Sequence, residues 1–448
     1  MFSRYSEKLF QFKFFDDLYL AFLFIVSFIC WYFSNEILGV ACFSVLIWLV
    51  ALQGRAVYLL PLPLFVVPIF RGLLKDVGKI ANASDVITAS VIIMVVAGVG
   101  GLVFDIIKHK RFKQKGRLFL AFSLIIGAMV LSLFNSPDIV NAVSGMAIYV
   151  FMFFFYVYIL NIATAENHFR IFLSKTITYF VSLTALMCVM AIVEDKTVTE
   201  SIIKKDINIG WSISNNIATY LVFGIPFILY LSIHEKYKFA YYFLSIILAV
   251  VTFLTGSRAG IGGLVLLAVP SIVYTLYRTE RKDFVAHLLT ALLFTMPFIF
   301  VAIYLNIPEA LYQRLFVSKF FFYYDDRKRL LEIAMESFSN HPLIGTGVFS
   351  AGHYIKLGGK NVFSYHNIFF ETLACMGIAG IMAYVYFSFV KFKMLLFNSN
   401  MFKLYGLMAI VGSYIFALVD TSYLNPIYMY MVVAFLAIAE KSATIQKP

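Results

Sequence analysis

Charged side chains are scarce in this chain. Asp, Glu, Lys and Arg together make up 13% of its 448 residues, against about 25% in an average soluble domain. Hydrophobic residues make up 62%, and the mean hydropathy is +0.88. A soluble core could not enclose so much apolar surface, so the composition excludes a soluble protein and predicts a membrane protein.

Cysteine is also scarce, and the acidic residues are dispersed. Cys30, Cys42, Cys188 and Cys375 all lie within apolar runs and show neither metal-ligand spacing nor a disulfide framework. No carboxylate cluster has the spacing of a metal site, so we expect a protein without a metal and without another cofactor. No small-residue cleavage site follows the first apolar run, so we expect that run to be retained.

Long apolar runs, in contrast, recur along the whole chain. Each is about 20 residues long, enough for a helix to cross roughly 30 Å of hydrocarbon, whereas the strands of a barrel are shorter and alternate. The third run is short and contains three prolines, which fits a span or a re-entrant or interfacial piece. We predict an all-α polytopic fold with 12–14 transmembrane helices, near residues 17–35, 37–54, 56–71, 86–107, 118–134, 139–162, 174–194, 215–233, 239–257, 259–277, 284–305, 367–390, 404–420 and 425–440.

The net charge of +12 follows the topology of these runs. With an internal N-terminus, most of the 36 Lys and Arg residues fall in inside segments, most densely in KHKRFKQKGR (108–117). Short cytoplasmic loops carry such an excess, and the same charges attract anionic lipid. The pattern predicts two cytoplasmic termini and membrane lipid as a partner, and it argues against a nucleic-acid partner.

The connection between the eleventh and twelfth runs is the longest. We expect three regions: residues 1–305 with transmembrane helices 1–11, residues 306–366 as an outer loop, and residues 367–448 with the C-terminal transmembrane helices. Within the loop, apolar residues of RKRLLEIAMESFSN (327–340) recur at three- and four-residue spacing, which predicts an amphipathic helix. HPLIGTG (341–347) should end that helix, because proline and glycine interrupt it.

Basic residues mark two places that we expect at the outer face. Arg258 stands in TGSRAG (255–260), a tight turn between two spans. It either extends to the interface, as long cationic side chains do, or binds phosphate through its forked donors. Arg327 and Arg329 begin the amphipathic helix and form either a solvated face or, with Arg258, an anion site.

The stretch SYHNIFFETLACMGIAG (364–380) contains the third polar group. His366 and Asn367 precede the twelfth span, and Glu371 lies four residues after Asn367 on the same helical face. An interfacial histidine is either structural or able to accept a proton near neutral pH. A carboxylate inside a span is costly and usually marks a polar cavity, which Asp420, at the outer end of the thirteenth span, is placed to line.

These motifs occur in an order that resembles the bacterial O-antigen polymerase and O-antigen ligase superfamily. The resemblance rests on TGSRAG, an Arg-led helix that runs into NHPLIGTG, and YHNIFFETLACMGIAG, and it covers about residues 205–390. SISNNIATYLVFGIP (212–226) is similar to the family's Asn-containing start of a preceding span. Leu331 stands where the family has an aromatic residue, so Arg327 and Arg329 both remain candidates.

The resemblance implies a membrane glycosyltransferase of the GT-C type in lipopolysaccharide biosynthesis at the bacterial inner membrane. Its donor would be an oligosaccharide on undecaprenyl diphosphate at the periplasmic face, and a chain-length regulator protein would be a further partner. His366 and Arg258 would be catalytic, and the expected residues for binding the diphosphate and glycan are Arg327, Arg329, Asn367, Glu371, Asn216 and Asp420.

Three functions remain open at this point. A polymerase would transfer the chain to a lipid-linked repeat unit, and a ligase would transfer it to lipid A–core. The outer loop is compact for a ligase, and the sequence YHNIFFE resembles polymerases more than ligases. Both features favour the polymerase. A polysaccharide flippase is disfavoured because the polar candidates gather at one face, whereas transporters place polar groups at the midplane of paired repeats.

Overall fold

Helices form nearly all of the chain that the structure, a computed structural model, describes: residues 2–71, 85–163, 167–195, 198–205, 207–317, 320–354, 356–357, 360–361, 364–418 and 425–442. The first half contains α1 Phe2–Tyr32, α2 Glu36–Gln53, α3 Leu62–Val66, α4 Asp85–His109, α5 Phe119–Ser132, α6 Ile139–Ile162, α7 Asn167–Asp195, α8 Val198–Lys204 and α9 Ser214–His234. The second half contains α10 Lys238–Leu254, α11 Arg258–Arg278, α12 Arg281–Tyr304, α13 Ile307–Tyr312, α14 Phe320–Asn340, α15 Ala351–Tyr354, α16 Ile368–Leu396, α17 Met401–Ala417 and α18 Pro426–Lys441. Two strands of two residues, β1 Lys356–Leu357 and β2 Lys360–Asn361, pair antiparallel.

The predicted all-α polytopic membrane fold is confirmed. Within the described residues, eight helices are long and apolar enough to cross a membrane, and a bent pair, Thr295–Tyr304 with Ile307–Val317, would make a ninth. Shorter apolar helices occupy Ala56–Ile69, Phe119–Asn135 and Lys238–Leu254. The expected 12–14 spans exceed this number, since several of the predicted runs form broken or shorter helices: α5, α10, α17 and α18 are 14, 17, 17 and 16 residues long.

The proline-rich third run is broken into three short helical pieces. It consists of a 3₁₀ turn at Ala56–Leu59, α3, and a second 3₁₀ turn at Val67–Ile69, because proline has no N–H for a continuous helical ladder. It nevertheless runs parallel to α1 over most of the length of that helix. The contacts, in chain order, join Asp16 to Tyr58 (2.9 Å), Ser27 to Phe65 (2.7 Å) and Tyr32 to Arg71 (3.4 Å).

Side-chain contacts also give the direction of other helix pairs. α2 and α4 are parallel, because Ser44 lies by Met94 and the Leu52 carbonyl accepts from Lys108. α10 and α12 are parallel through Lys238 with Asp283 and Tyr242 with His287. α7 and α9, in contrast, are antiparallel neighbours. These directions are those of an alternating bundle, in which α11 begins at the same end as α9, α16 and α18.

Buried charges gather at the opposite end of the bundle. The Lys175 ammonium, 2% exposed, lies 2.8 Å from Asp17 and 3.6 Å from Glu235. Asp105, fully buried, accepts from Arg111 and from the Tyr158 hydroxyl. Pairing with an opposite charge lowers the cost of placing a charged side chain near a bilayer. The polar groups at the other end of the bundle, where α11 begins, are of a different kind.

Candidate functional site at the N-terminus of α11

The TGSRAG turn is built for close approach. Ser257 caps α11, with its hydroxyl accepting from the Gly260 N–H at 3.2 Å, a contact worth about 1 kcal/mol. Gly256 has φ +61°, and a Cβ there would lie 2.5 Å from the Ile202 carbonyl oxygen. The turn is therefore fixed against α8 and α9, and Arg258 projects from a rigid position.

Hydrogen bonds from Arg258 and Arg314 to backbone carbonyls join the TGSRAG turn to the segment that carries Arg314. The Arg258 guanidinium donates twice to the Arg314 carbonyl, from Nη2 at 2.7 Å and from Nε at 3.2 Å. Arg314 in turn donates from Nε to the Gly256 carbonyl at 3.1 Å. These three hydrogen bonds, called here the Arg258–Arg314 clasp, join the segment that carries Arg314 to the start of a 21-residue helix, where the helix dipole also favours an anion.

Arg314 lies in the π-helical turn Gln313–Val317, which follows the bent end of α12. The sequence analysis missed it, because it occurs 56 residues from Arg258 and in no recognised motif. The only available signal was its position as an isolated cation directly after the eleventh apolar run. π-Helical turns are frequent at functional sites, and here the turn brings a second arginine to TGSRAG.

Arg258 and His366 lie at the same end of the bundle, as the register between α11 and α17 shows. These helices are antiparallel: Thr275 contacts Tyr405 at 2.7 Å, Ser271 contacts Met408 at 3.3 Å, and a Cβ on Gly263 would lie 3.1 Å from the Phe416 ring. The start of α11 is therefore level with the end of α17. There, the Leu418 carbonyl accepts from the Asn367 amide at 2.9 Å, which places the histidine turn at this end.

The carboxylate of Glu371 positions that turn. Its Oε2 accepts the Tyr365 N–H at 2.6 Å, and its Oε1 lies 3.5 Å from the Cys375 sulfur. Glu371 is 2% exposed, whereas His366 is half-buried and adopts φ +53°. Positive φ is unusual for a residue with a side chain. The hydrogen bond from the neighbouring Tyr365 N–H to the buried Glu371 carboxylate holds the backbone next to His366.

Asn367 has an identifiable structural task. Its Oδ1 accepts from the Phe369 and Phe370 N–H groups at 3.0 and 3.2 Å and so caps α16. With its Nδ2 on Leu418, the side chain links α16 to α17. Asn367 thus orients the histidine turn from the helix side, while substrate contact by this residue stays a prediction.

The glycine motif after His366 marks a break in α16. Gly377 adopts φ +61° and ψ −157°, a region that is essentially restricted to glycine. The turn at 341–347 fills the break and supplies partners for its backbone groups. Pro342 and Leu343 carbonyls accept from the Ile378 and Ala379 N–H groups (2.9 and 3.1 Å), and Thr346 and Gly347 N–H groups donate to the Ala374 and Cys375 carbonyls (3.1 and 2.9 Å).

This turn therefore lies inside the bundle. Gly377 is nine residues into α16, about 14 Å at 1.5 Å per residue. On the other side, a Cβ on Gly145, within α6, would lie 2.8 Å from Val348. Irregular backbone at such depth requires protein partners for its polar groups, and α16 provides them.

The remaining predicted residues are placed less directly. Arg327 and Arg329 lie exposed on α14, while Leu330 and Ala334 of the same helix are buried, as the amphipathic pattern predicts. Asn216 is half-buried on α9, and its neighbour Asn215 accepts from the Ser257 hydroxyl at 2.9 Å. Asp420 lies outside the described residues.

A search of the described part of the chain finds no group of three or more His, Cys, Asp and Glu side chains that could hold a metal ion. The polar side chains that the structure brings to this end of the bundle include the guanidinium of Arg258, the imidazole of His366, the carboxylate of Glu371 and the amide of Asn367. Metal independence stays a prediction, which chelation tests directly.

The comparison with protein families matches the same part of the chain. Residues 243–385 match the family described as O-antigen ligase. The predicted resemblance to the O-antigen ligase and polymerase superfamily is confirmed. The matched segment contains Arg258, Arg314, His366 and the Gly377 break. No curated protein matches the chain at a significant level.

Proposed function

We propose that the protein is an O-antigen polymerase, a membrane glycosyltransferase that extends a surface polysaccharide on a lipid carrier. The observation that carries the proposal is the common end of the bundle shared by the Arg258–Arg314 clasp and the His366 turn. The family match at residues 243–385 supports ligase or polymerase activity. The donor is an oligosaccharide on undecaprenyl diphosphate, and the acceptor is a lipid-linked repeat unit at the periplasmic face.

In the proposed reaction an acceptor hydroxyl attacks the anomeric carbon of the donor glycan. A new glycosidic C–O bond forms, the bond from that carbon to the diphosphate oxygen breaks, and the diphosphate leaves with the electron pair. His366 accepts the proton of the attacking hydroxyl as general base, a role worth about 10²–10⁴-fold in rate.

The arginines stabilise the charge that develops on the departing diphosphate. Arg258 is anchored by its cap, its turn and the Arg314 carbonyl, so it needs little reorganisation when charge appears. Arg314 adds a second fixed cation. Arg327 and Arg329, exposed on α14, remain candidates for contact with the diphosphate or the glycan.

Substitution of the two central residues tests the proposal. His366→Ala and Arg258→Ala should abolish polysaccharide chains in a complemented deletion strain while the protein remains in the membrane at normal levels. Arg258→Lys keeps the charge but loses the two-donor contact with Arg314, so it should retain only a small fraction of activity. Normal glycan ladders from His366→Ala would remove the general base from the mechanism.

The second candidate is an O-antigen ligase, which the description of the matched family favours. It would use the same donor and the same residues but transfer the glycan to lipid A–core. A lipopolysaccharide gel of a deletion strain separates the two: loss of a polymerase leaves lipid A–core with a single repeat, and loss of a ligase leaves it without O-antigen.

A further inference from the structure

A large apolar cleft lies away from the arginine and histidine residues. It has a volume of about 340 Å³ and is lined by residues of α2, the broken third run, α4, α6 and α18. Its lining is almost entirely hydrocarbon, with Tyr430 as the one residue that carries a hydroxyl, and that hydroxyl donates to the Leu60 carbonyl at 2.7 Å. The cleft can therefore take an apolar chain but offers nothing to a sugar or a phosphate.

The cleft runs along the membrane normal. On α4 its lining extends from Val91 to Leu102, about 16 Å at 1.5 Å per residue. A cleft with this length and this apolar lining can take part of an extended hydrocarbon chain.

One wall of the cleft opens to the bilayer. Val95 and Val99 line it and are 57% and 40% exposed. Between them in the helix, Gly98 has no atom of another described element within 4 Å of the place where a Cβ would stand. A chain in the surrounding lipid can thus enter sideways past α4, where the missing side chain leaves room.

The upper end of the cleft connects to the candidate site. Pro426 lines the cleft and follows Asn425, which caps α18. The Asn425 side chain lies beside Tyr220 on α9. Two residues earlier on α9, Ala218 packs against Gly260, two residues after Arg258. The start of α9 therefore contacts both the Pro426 end of the cleft and the turn that carries Arg258.

We propose that this cleft binds the polyisoprenoid tail of the lipid diphosphate donor. The inference rests on the proposed function and deepens it by naming where the lipid lies. The tail occupies the slot between α4 and the broken third run, and the diphosphate passes over α9 to Arg258 and Arg314. The prolines of the third run have a role in this arrangement, because an irregular backbone leaves the gap that a straight helix would fill.

The experiment fills the cleft from Gly98. The full-length protein in nanodiscs is compared as wild type, Gly98→Phe and Gly127→Phe, with binding of undecaprenyl diphosphate and of the short-chain geranyl diphosphate measured for each. Gly127, on α5 outside the cleft, is a matched control because it is also half-buried, helical and without an atom within 4 Å of its Cβ position. Val95→Phe is a second cleft variant should Gly98→Phe fail to fold.

Gly98→Phe should weaken undecaprenyl diphosphate binding at least tenfold and leave geranyl diphosphate binding unchanged, and Gly127→Phe should alter neither. Equal binding of the long-chain lipid by all three proteins would overturn the proposal, as would phospholipid copurifying in the cleft and resisting competition by undecaprenyl diphosphate. Because binding is measured without transfer, the cleft stands if the wild type binds the tail but transfers no glycan. Conversely, undiminished transfer and undiminished long-chain lipid binding in Gly98→Phe would show that the cleft is not the tail-binding site, while the proposed function would stand.

Discussion

The Tyr365 N–H donates to the buried carboxylate of Glu371, and this hydrogen bond links the first turn of α16 to the residue that precedes the proposed general base. A buried donor that loses its acceptor costs about 1–3 kcal/mol. The effect should reach catalysis because Tyr365 immediately precedes His366. Glu371 acts here through the backbone and is a positioning residue.

We therefore predict that Glu371→Ala lowers both the melting temperature and the transfer rate, the rate by tenfold or more. Glu371→Gln retains an oxygen acceptor and should recover much of both quantities. Glu332→Ala, which removes an exposed carboxylate 3.8 Å from Lys328, is the control and should change neither. A full transfer rate in Glu371→Ala would show that the histidine turn holds its shape without this contact.

Chelation provides a second test at this scale. If fixed guanidinium groups stabilise the departing diphosphate, transfer by purified protein should continue unchanged after EDTA treatment and dialysis. A loss of activity that Mg²⁺ or Mn²⁺ restores would contradict the prediction.

At the residue scale, the sequence predicted Arg258, His366 and Glu371 from unusual polar groups beside apolar runs. The structure brings the first two to one end of the bundle, and their roles stay predictions. Arg314 was missed because its partner is a backbone carbonyl 56 residues away, and a carbonyl leaves no trace in a sequence. The capping task of Asn367 was likewise invisible until the end of α17 was seen beside it.

At the scale of elements, the break in α16 is the least expected feature. The sequence contains the glycines, but the run 367–390 is otherwise apolar and predicts one continuous helix. The break depends on a tertiary contact, because the turn at 341–347 hydrogen-bonds backbone groups on both sides of Gly377, the carbonyls of Ala374 and Cys375 and the N–H groups of Ile378 and Ala379. Periodicity within α16 could not reveal a partner that belongs to another segment.

Gly377→Ala tests the importance of this contact. The side chain would be forced into a backbone region that costs roughly 1–3 kcal/mol, and its Cβ would lie 2.6 Å from the Leu343 carbonyl. We expect lower thermal stability and loss of transfer. Gly127→Ala is the matched control and should be neutral or stabilising by up to about 1 kcal/mol, because alanine favours a helix. Equal melting temperatures for the two variants would show that stability does not depend on the break at Gly377.

At the scale of the whole molecule, the alternating directions of the helices make the predicted topology testable. Glu309 lies exposed at the end of the candidate site, and Lys113 and Ser399 lie exposed at the other end. In a variant whose four cysteines are replaced, a single cysteine at 309 should react with an impermeant maleimide in intact spheroplasts. Single cysteines at 113 and 399 should react only after lysis, and the reverse pattern would invert the topology.

Composition and run length were sufficient for the fold class, because each crossing must satisfy its own backbone in lipid. The arrangement of the crossings was not predictable, since lipid-facing and protein-facing apolar residues look alike in a sequence. The cleft beside α4 illustrates this, because Gly98 reads as an ordinary small residue until its neighbours are known.

The packing of the 341–347 turn into the break at Gly377 limits which segments can be exchanged between related proteins. A swap that exchanged only residues 306–366 between two relatives, in order to transfer acceptor preference, would separate the turn at 341–347 from the helix whose open backbone it completes. The smallest exchangeable block therefore extends through Gly380, and hybrids joined at the apparent membrane boundary should misassemble even when both parents are active.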